Sequence, residues 1–143
     1  MSYKFDFEFL AERWPDFVAG AWLTIQLTVA SIALGFLVGT VCALARVYGG
    51  PVLRRIVGVY VEAIRNTPLL IQLYIVYFSL PLIGMKFTPG TSAVIALSIH
   101  LGAYATEIIR AGVESIPVGQ IEAAKSLGLG RYRIIRHVVL VPA

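Results

Sequence analysis

Four side chains able to hold a proton or a charge fall on one stripe of a single segment: His100, Tyr104, Glu107 and Glu114, at steps of four, three and seven. Such steps return to one face of an α-helix. An imidazole, a phenol and two carboxylates could do acid–base work or bind a polar solute. The rest of a catalytic set is missing. The chain has no nucleotide-binding loop, no His-Glu-x-x-His pair, no nucleophile elbow and no carboxylate pair at catalytic spacing. Cys42 is the one cysteine and lies in an apolar run, which rules out a disulfide framework or a cysteine-based metal site. No metal, cofactor or enzymatic activity is therefore expected of this chain. An embedded enzyme would have only His100 to work with.

His100 interrupts an otherwise uncharged run, residues 87–106. A polar side chain at membrane depth faces a bundle interior or a wet cavity. Two readings stand side by side: a hydrogen-bonded packing residue, or, with Tyr104 and Gln72, the lining of a solute path. Gln26 is a lesser polar candidate. Glu107 and Glu114 lie at or beyond the end of the run, where solvation or pairing satisfies them.

The elements that must position this stripe follow from composition. Apolar residues make up 58% of the 143, charged residues 14%, and the mean hydropathy is +0.81. A soluble domain carries about 25% charge, so the fold class is all-α, a multi-pass transmembrane bundle. The net charge of +4 reflects basic residues beside apolar runs rather than a nucleic-acid surface. Residues 1–18 read as an interfacial lead-in, with alternating aromatics and charges and no signal peptide.

Residues 17–45 are free of charge and exceed the roughly 20 needed to cross a bilayer. Within them Ser31, Gly35, Gly39 and Ala43 form a ridge of small side chains that would let another helix approach closely. That helix could belong to the same chain or to a second subunit. Gly49-Gly50-Pro51 is a turn. The helix after it carries Arg54, Gly58, Glu62 and Arg65 on one face, the last two at ion-pair spacing.

Residues 66–85 make a second span, kinked at Pro68 and ended or bent at Pro81, and residues 87–106 make a third. Pro117 opens a short helix whose Ile121, Ala124 and Leu127 are expected on one face, with Glu122, Lys125 and Ser126 on another. Gly128 falls where a left-handed residue ends a helix. After three arginines, residues 138–143 look like the start of a fourth span.

The string Glu122-Ala123-Ala124, three residues, then Gly128, then a basic segment and Val138-Val139-Leu140-Val141-Pro142 resembles the "EAA" loop of ABC-importer permeases. Arg65-Asn66-Thr67-Pro68-Leu69-Leu70 resembles a segment of the polar-amino-acid branch of that family. The resemblance covers residues 19–143 and implies a type-1 permease domain that is incomplete at its C-terminus. It implies a bacterial cytoplasmic membrane, a polar amino acid as substrate and a second permease subunit, identical or related. It also implies an extracytoplasmic solute-binding protein and cytoplasmic ATPase subunits that hydrolyse ATP. Ile121, Glu122, Ala123, Ala124, Leu127 and Gly128 would then form the coupling helix seated in the ATPase, with Glu122 as polar anchor and Gly128 at a turn where a side chain would clash. The other reading is an accessory or regulatory membrane protein that uses the small-residue ridge without transport.

Residues 46–66 and 107–137 hold nine of the twelve Lys and Arg; only Lys4, Arg13 and Lys86 lie on the other side. The positive-inside rule then puts the N-terminus outside and the short helix in the cytoplasm. Cysteines placed at Ser2 and Gly90 should react with an impermeant reagent added to intact cells, and one at Ser126 should not. Labelling at Ser126 would reverse the orientation.

Overall fold

A computed structural model describes residues 12–139, and helix is the only regular structure among them. The helices are α1 (Trp14–Tyr48), α2 (Pro51–Arg65), α3 (Leu69–Tyr74), α4 (Pro89–Glu114), α5 (Val118–Ser126) and α6 (Arg131–Arg133). α3 runs on through a π-helical turn, Ile75–Ser79, and a 3-10 turn, Leu80–Ile83; α6 runs on through a π-helical stretch, Ile134–Val139. Residues 1–11 of the expected lead-in and residues 140–143 of the expected fourth span lie outside the described residues. α1 starts at Trp14, with Pro15 in its first turn, so residues 14–18 of the expected lead-in are helical and continuous with the span.

The centre of the fold is the contact between α1 and α4. The buried residues of α1 are Ser31, Gly35, Gly39 and Ala43, and they face α4 of the same chain. A methyl group at Gly35 would fall 2.7 Å from Cβ of Leu101, and one at Gly39 would fall 2.5 Å from Cβ of Ala105. From the α4 side, a methyl at Gly102 would fall 2.9 Å from Cγ1 of Val38. Numbering rises together along both helices, so they run parallel. The outward side of α1 stays apolar, with Trp22, Phe36 and Leu37 exposed. A helix apolar all round belongs in lipid.

Two parallel helices need a return path, and α2 and α3 supply it. α2 crosses the pair and is pinned where the Tyr60 hydroxyl donates to the Ile99 carbonyl at 2.7 Å. Its start is tied back by Arg54, whose Nε donates to the Arg46 carbonyl at the end of α1 (3.0 Å). Between α2 and Leu69–Ile83 the axis turns by 105°. The expected second span therefore takes the form of a sharply bent pair, and its second half is only partly regular α-helix. Pro68 cannot donate into the turn before it, which stops α2. Leu69–Ile83 alone is about 22 Å long, short of the hydrocarbon thickness, and crosses only with help from α2. α1 and α4 are each long and apolar enough to cross, and the bent pair makes a third crossing if it counts as one span.

Gly39→Val should push α1 off α4 and lower stability by about 1–3 kcal/mol. Gly20→Ala, with nothing within 4 Å of the added methyl, is the control. Thermal aggregation of the two variants in detergent should differ; equal midpoints would show that the close approach carries no stability.

Candidate functional site

The stripe on α4 comes together with side chains from both halves of the bent pair. His100 and Tyr104 lie ring against ring, tilted by 42° with centroids 4.9 Å apart. The Arg65 guanidinium at the end of α2 lies 5.4 Å from the Tyr104 centroid, within cation–π range. The expected pairing of Arg65 with Glu62 does not form: among the described residues no ion pair joins them. Arg65 instead lies over the ring.

One turn further, Glu107 is held by two cations. Arg46 of α1 donates to its Oε1, and Arg110 Nη2 donates to its Oε2 at 2.8 Å. Arg110 also reaches Glu114 at 2.5 Å, so Glu107 and Glu114 are both paired. The Arg110 contacts could have been read from the i, i+3 and i, i+4 spacings. Arg46 comes from 61 positions away, and no local pattern shows it.

Around these groups opens a polar cavity of ≈ 380 Å³, lined by Arg46, Glu62, Arg65, Asn66, Tyr104 and Glu107, with Val61 as its apolar wall. Of the solute-path candidates His100, Tyr104, Gln72 and Gln26, Tyr104 lines it, and Glu107 of the same stripe lines it too. Gln72 and His100 stand behind it, bonded to each other: His100 Nδ1 lies 3.3 Å from Gln72 Oε1. Gln26 stands exposed on α1. Two cations and two carboxylates around one cavity offer a zwitterion opposite partners for its ammonium and its carboxylate.

The second candidate site is α5. It ends in a Schellman motif: Gly128 N donates to the Lys125 carbonyl (2.9 Å) and Leu129 N to the Ala124 carbonyl (3.1 Å). Gly128 has φ +73°. Nothing lies within 4 Å of a methyl built there, so the need for glycine comes from the backbone angle and not from a clash. Ile121 and Ala124 turn inward, with Ala124 4% exposed in a cluster with Val113 and Ile134. Leu127 does not share that face. It sits past the last α-helical residue and is 80% exposed, because the chain begins to leave the helix there. Glu122 and Ala123 are exposed as well.

Glu107→Ala should cost more than Arg46→Ala. The first leaves Arg46 without its carboxylate, whereas the second leaves Glu107 still held by Arg110. Thermal denaturation in detergent should show Glu107→Ala destabilised by about 2 kcal/mol and Arg46→Ala by less. The reverse order would mean that Arg46 has a larger role than its bond to Glu107.

Residues 31–141 match the family described as "Binding-protein-dependent transport system inner membrane component". The L-cystine transport system permease protein of Bacillus subtilis (strain 168) is 42% identical over 130 residues, covering 91% of this chain and 56% of the relative. The glutamine transport system permease protein of Escherichia coli (strain K12) is 36% identical over 139 residues, covering 96% and 64%. A crystal structure of an amino acid ABC transporter with histidines superposes with a TM-score of 0.84 at 36% identity, covering 98% of this chain and 65% of that one. An inward-facing methionine ABC transporter, at 24% identity and a TM-score of 0.69, shares the fold over 87% of this chain and 61% of its own. The chain thus spans between 56% and 65% of the length of these relatives. It belongs to the family of binding-protein-dependent transport system inner membrane components.

Proposed function

We propose that this chain is part of the permease subunit of an ATP-driven importer that passes a polar amino acid across the bacterial cytoplasmic membrane. The observation that carries the reading is the charged cavity set between α2 and α4 of an otherwise apolar bundle. Arg65 would take the carboxylate of the solute and Glu62 its ammonium, with Tyr104 against the side chain. The relatives named for cystine, glutamine and histidine support an amino acid as the class.

ATP hydrolysis belongs to separate cytoplasmic subunits, and an extracytoplasmic binding protein delivers the solute. A second permease subunit, identical or related, completes the path. Residues 19–143 form the permease domain. The N-terminus lies outside and α5 inside; the parallel course of α1 and α4 supports this, since it brings Arg46, Arg110 and α5 to one end.

α5 is the coupling element. Its inner face, Ile121 and Ala124, is taken up by its own chain. Contact with the ATPase therefore falls to Glu122, Ala123 and Leu127, with Gly128 fixing the helix end.

The test uses the full subunit assembled with its ATPase and binding protein. Arg65→Ala should abolish or strongly reduce uptake of the amino acid held by the binding protein, without changing that protein's affinity for it. Unchanged uptake would remove the cavity from the path. Gly128→Val should insert normally yet cost about 1 kcal/mol or more at the helix end, and stimulation of ATPase activity by loaded binding protein should fall with it. Glu122→Ala should give a milder form of the same defect. Normal stimulation in both variants at wild-type abundance would end the coupling assignment.

A further inference from the structure

We infer that Gln72 and His100 form a positioning clasp that fixes the angle between α2 and α3, with His100 held as the tautomer that carries its proton on Nδ1. Gln72 is 6% exposed, so each of its polar atoms needs a partner inside the protein. The partners are the groups that the bend leaves short. The Ile64 carbonyl would accept from position 68 in a continuing helix, but Pro68 has no N–H. What Ile64 keeps from the backbone is a stretched 3.3 Å bond from Thr67 N. The first backbone donors of α3, Ile71 and Gln72, both go to the Pro68 carbonyl, which leaves that of Thr67 aside.

Gln72 Nε2 donates to Ile64 O at 2.9 Å and to Thr67 O at 2.8 Å. One side-chain amide thus supplies both missing donors. Its two hydrogens are then used, and this assigns the amide orientation: Oε1 is the atom that faces His100. An amide oxygen only accepts, so His100 Nδ1, 3.3 Å away, must be the donor. The same ring packs at a tilt against Tyr104, and Tyr104 lies under Arg65, the last residue of α2. The clasp therefore holds the end of α2 from both sides of the bend. Arg65 and Asn66 reach the cavity from that end. Gln72 and His100 act on the cavity as positioning residues, through the angle of α2; this last step rests on the function proposed above.

Three measurements on the full subunit decide it. The first is imidazole nitrogen NMR on wild type with the imidazole neutral, the His100 signals being assigned by their loss in His100→Asn. The His100 signals should show a protonated Nδ1 and a bare Nε2. The opposite tautomer would overturn the clasp.

The second is the distance between spin labels at Val52 on α2 and Leu82 beyond α3, both exposed, in a Cys42→Ser background. Gln72→Glu removes both donors and sets a carboxylate against two carbonyls, and His100→Gln places its amide where Nε2 was. Both should lose the single narrow distance. His100→Asn, whose amide nitrogen can stand where Nδ1 stood, should keep it. Narrow, unshifted distances in Gln72→Glu and His100→Gln would overturn the clasp, as would an equal loss in His100→Asn and His100→Gln. If Gln72→Glu fails to insert, the two His100 variants and the wild-type spectrum still decide.

The third is uptake by His100→Gln and His100→Asn. A raised KM in His100→Gln alone, with the binding protein unaffected, is the expected result. A widened distance with an unchanged KM would leave the clasp standing as a structural device and would overturn its action on the cavity. Arg65→Ala, which leaves both clasp residues in place, separates the cavity's part in transport from the clasp.

Discussion

The close approach of α1 and α4 constrains everything else in the fold. α1 is apolar on nearly every side and α4 is so outside its stripe from His100 to Glu114, so burial from water does not choose the face that joins them in lipid. Close van der Waals packing does, and only where the side chains are small. Gly35 and Gly39 admit Leu101 and Ala105 to distances at which even a methyl group would collide. Because the two helices run the same way, the chain between them must travel back. It has only residues 49–88 in which to do so, and it must stay against the same pair.

That return path explains the bend. α2 is amphipathic and cannot be an ordinary lipid-facing span; it carries Glu62 and Arg65 on its open side and Val57 and Val61 against the bundle. α3 is apolar. Joining them needs a sharp turn, and Pro68 makes it at the cost of unpaired backbone carbonyls. In hydrocarbon an unpaired carbonyl costs several kcal/mol, so a broken helix there has to be repaired by a side chain. Gln72 is long enough to reach back one turn and has two hydrogens to give. The polar character of the region is thus no accident of function alone: a bent span demands a buried amide, and a buried amide demands a partner such as His100.

The sequence shows the local parts of this design well. The first and third spans, the small-residue ridge, Pro117 and Gly128 as helix limits, and the stripe from His100 to Glu114 all depend on spacing along one helix. What it hides is set by contacts across helices. Arg46 could be read as a topology marker but not as the partner of Glu107, because 61 residues separate them. Gln72 reads along the sequence as a solute contact, and its bonds to the Ile64 and Thr67 carbonyls emerge only from the turn geometry. Leu127 looks like a neighbour of Ile121 and Ala124 on a helical wheel, but the wheel stops applying where the chain leaves the helix for a left-handed Gly128. The 105° bend is foreshadowed only by Pro68, and a proline alone does not give an angle.

The placement of α5 limits how movement could pass through the subunit. Its inner residues share one cluster with Val113 of α4, and Val47 of α1 packs against the same cluster. Arg46 and Glu107 tie those two helices together nearby, through a charged bond in partly buried surroundings. A displacement of α5 therefore acts on α1 and α4 as one body, since sliding one past the other would break the ion pair and the interlocked glycine contact together. The link between α2 and α3 is held by the hydrogen bonds of Gln72 to the Ile64 and Thr67 carbonyls. A change of angle at that link would move Arg65 and Asn66 relative to Tyr104 and Glu107 across the cavity. Hinge motions are built where rigid bodies join at a few terminal residues, and at that position in this chain the Gln72 amide, bonded to the Ile64 and Thr67 carbonyls, sets one angle.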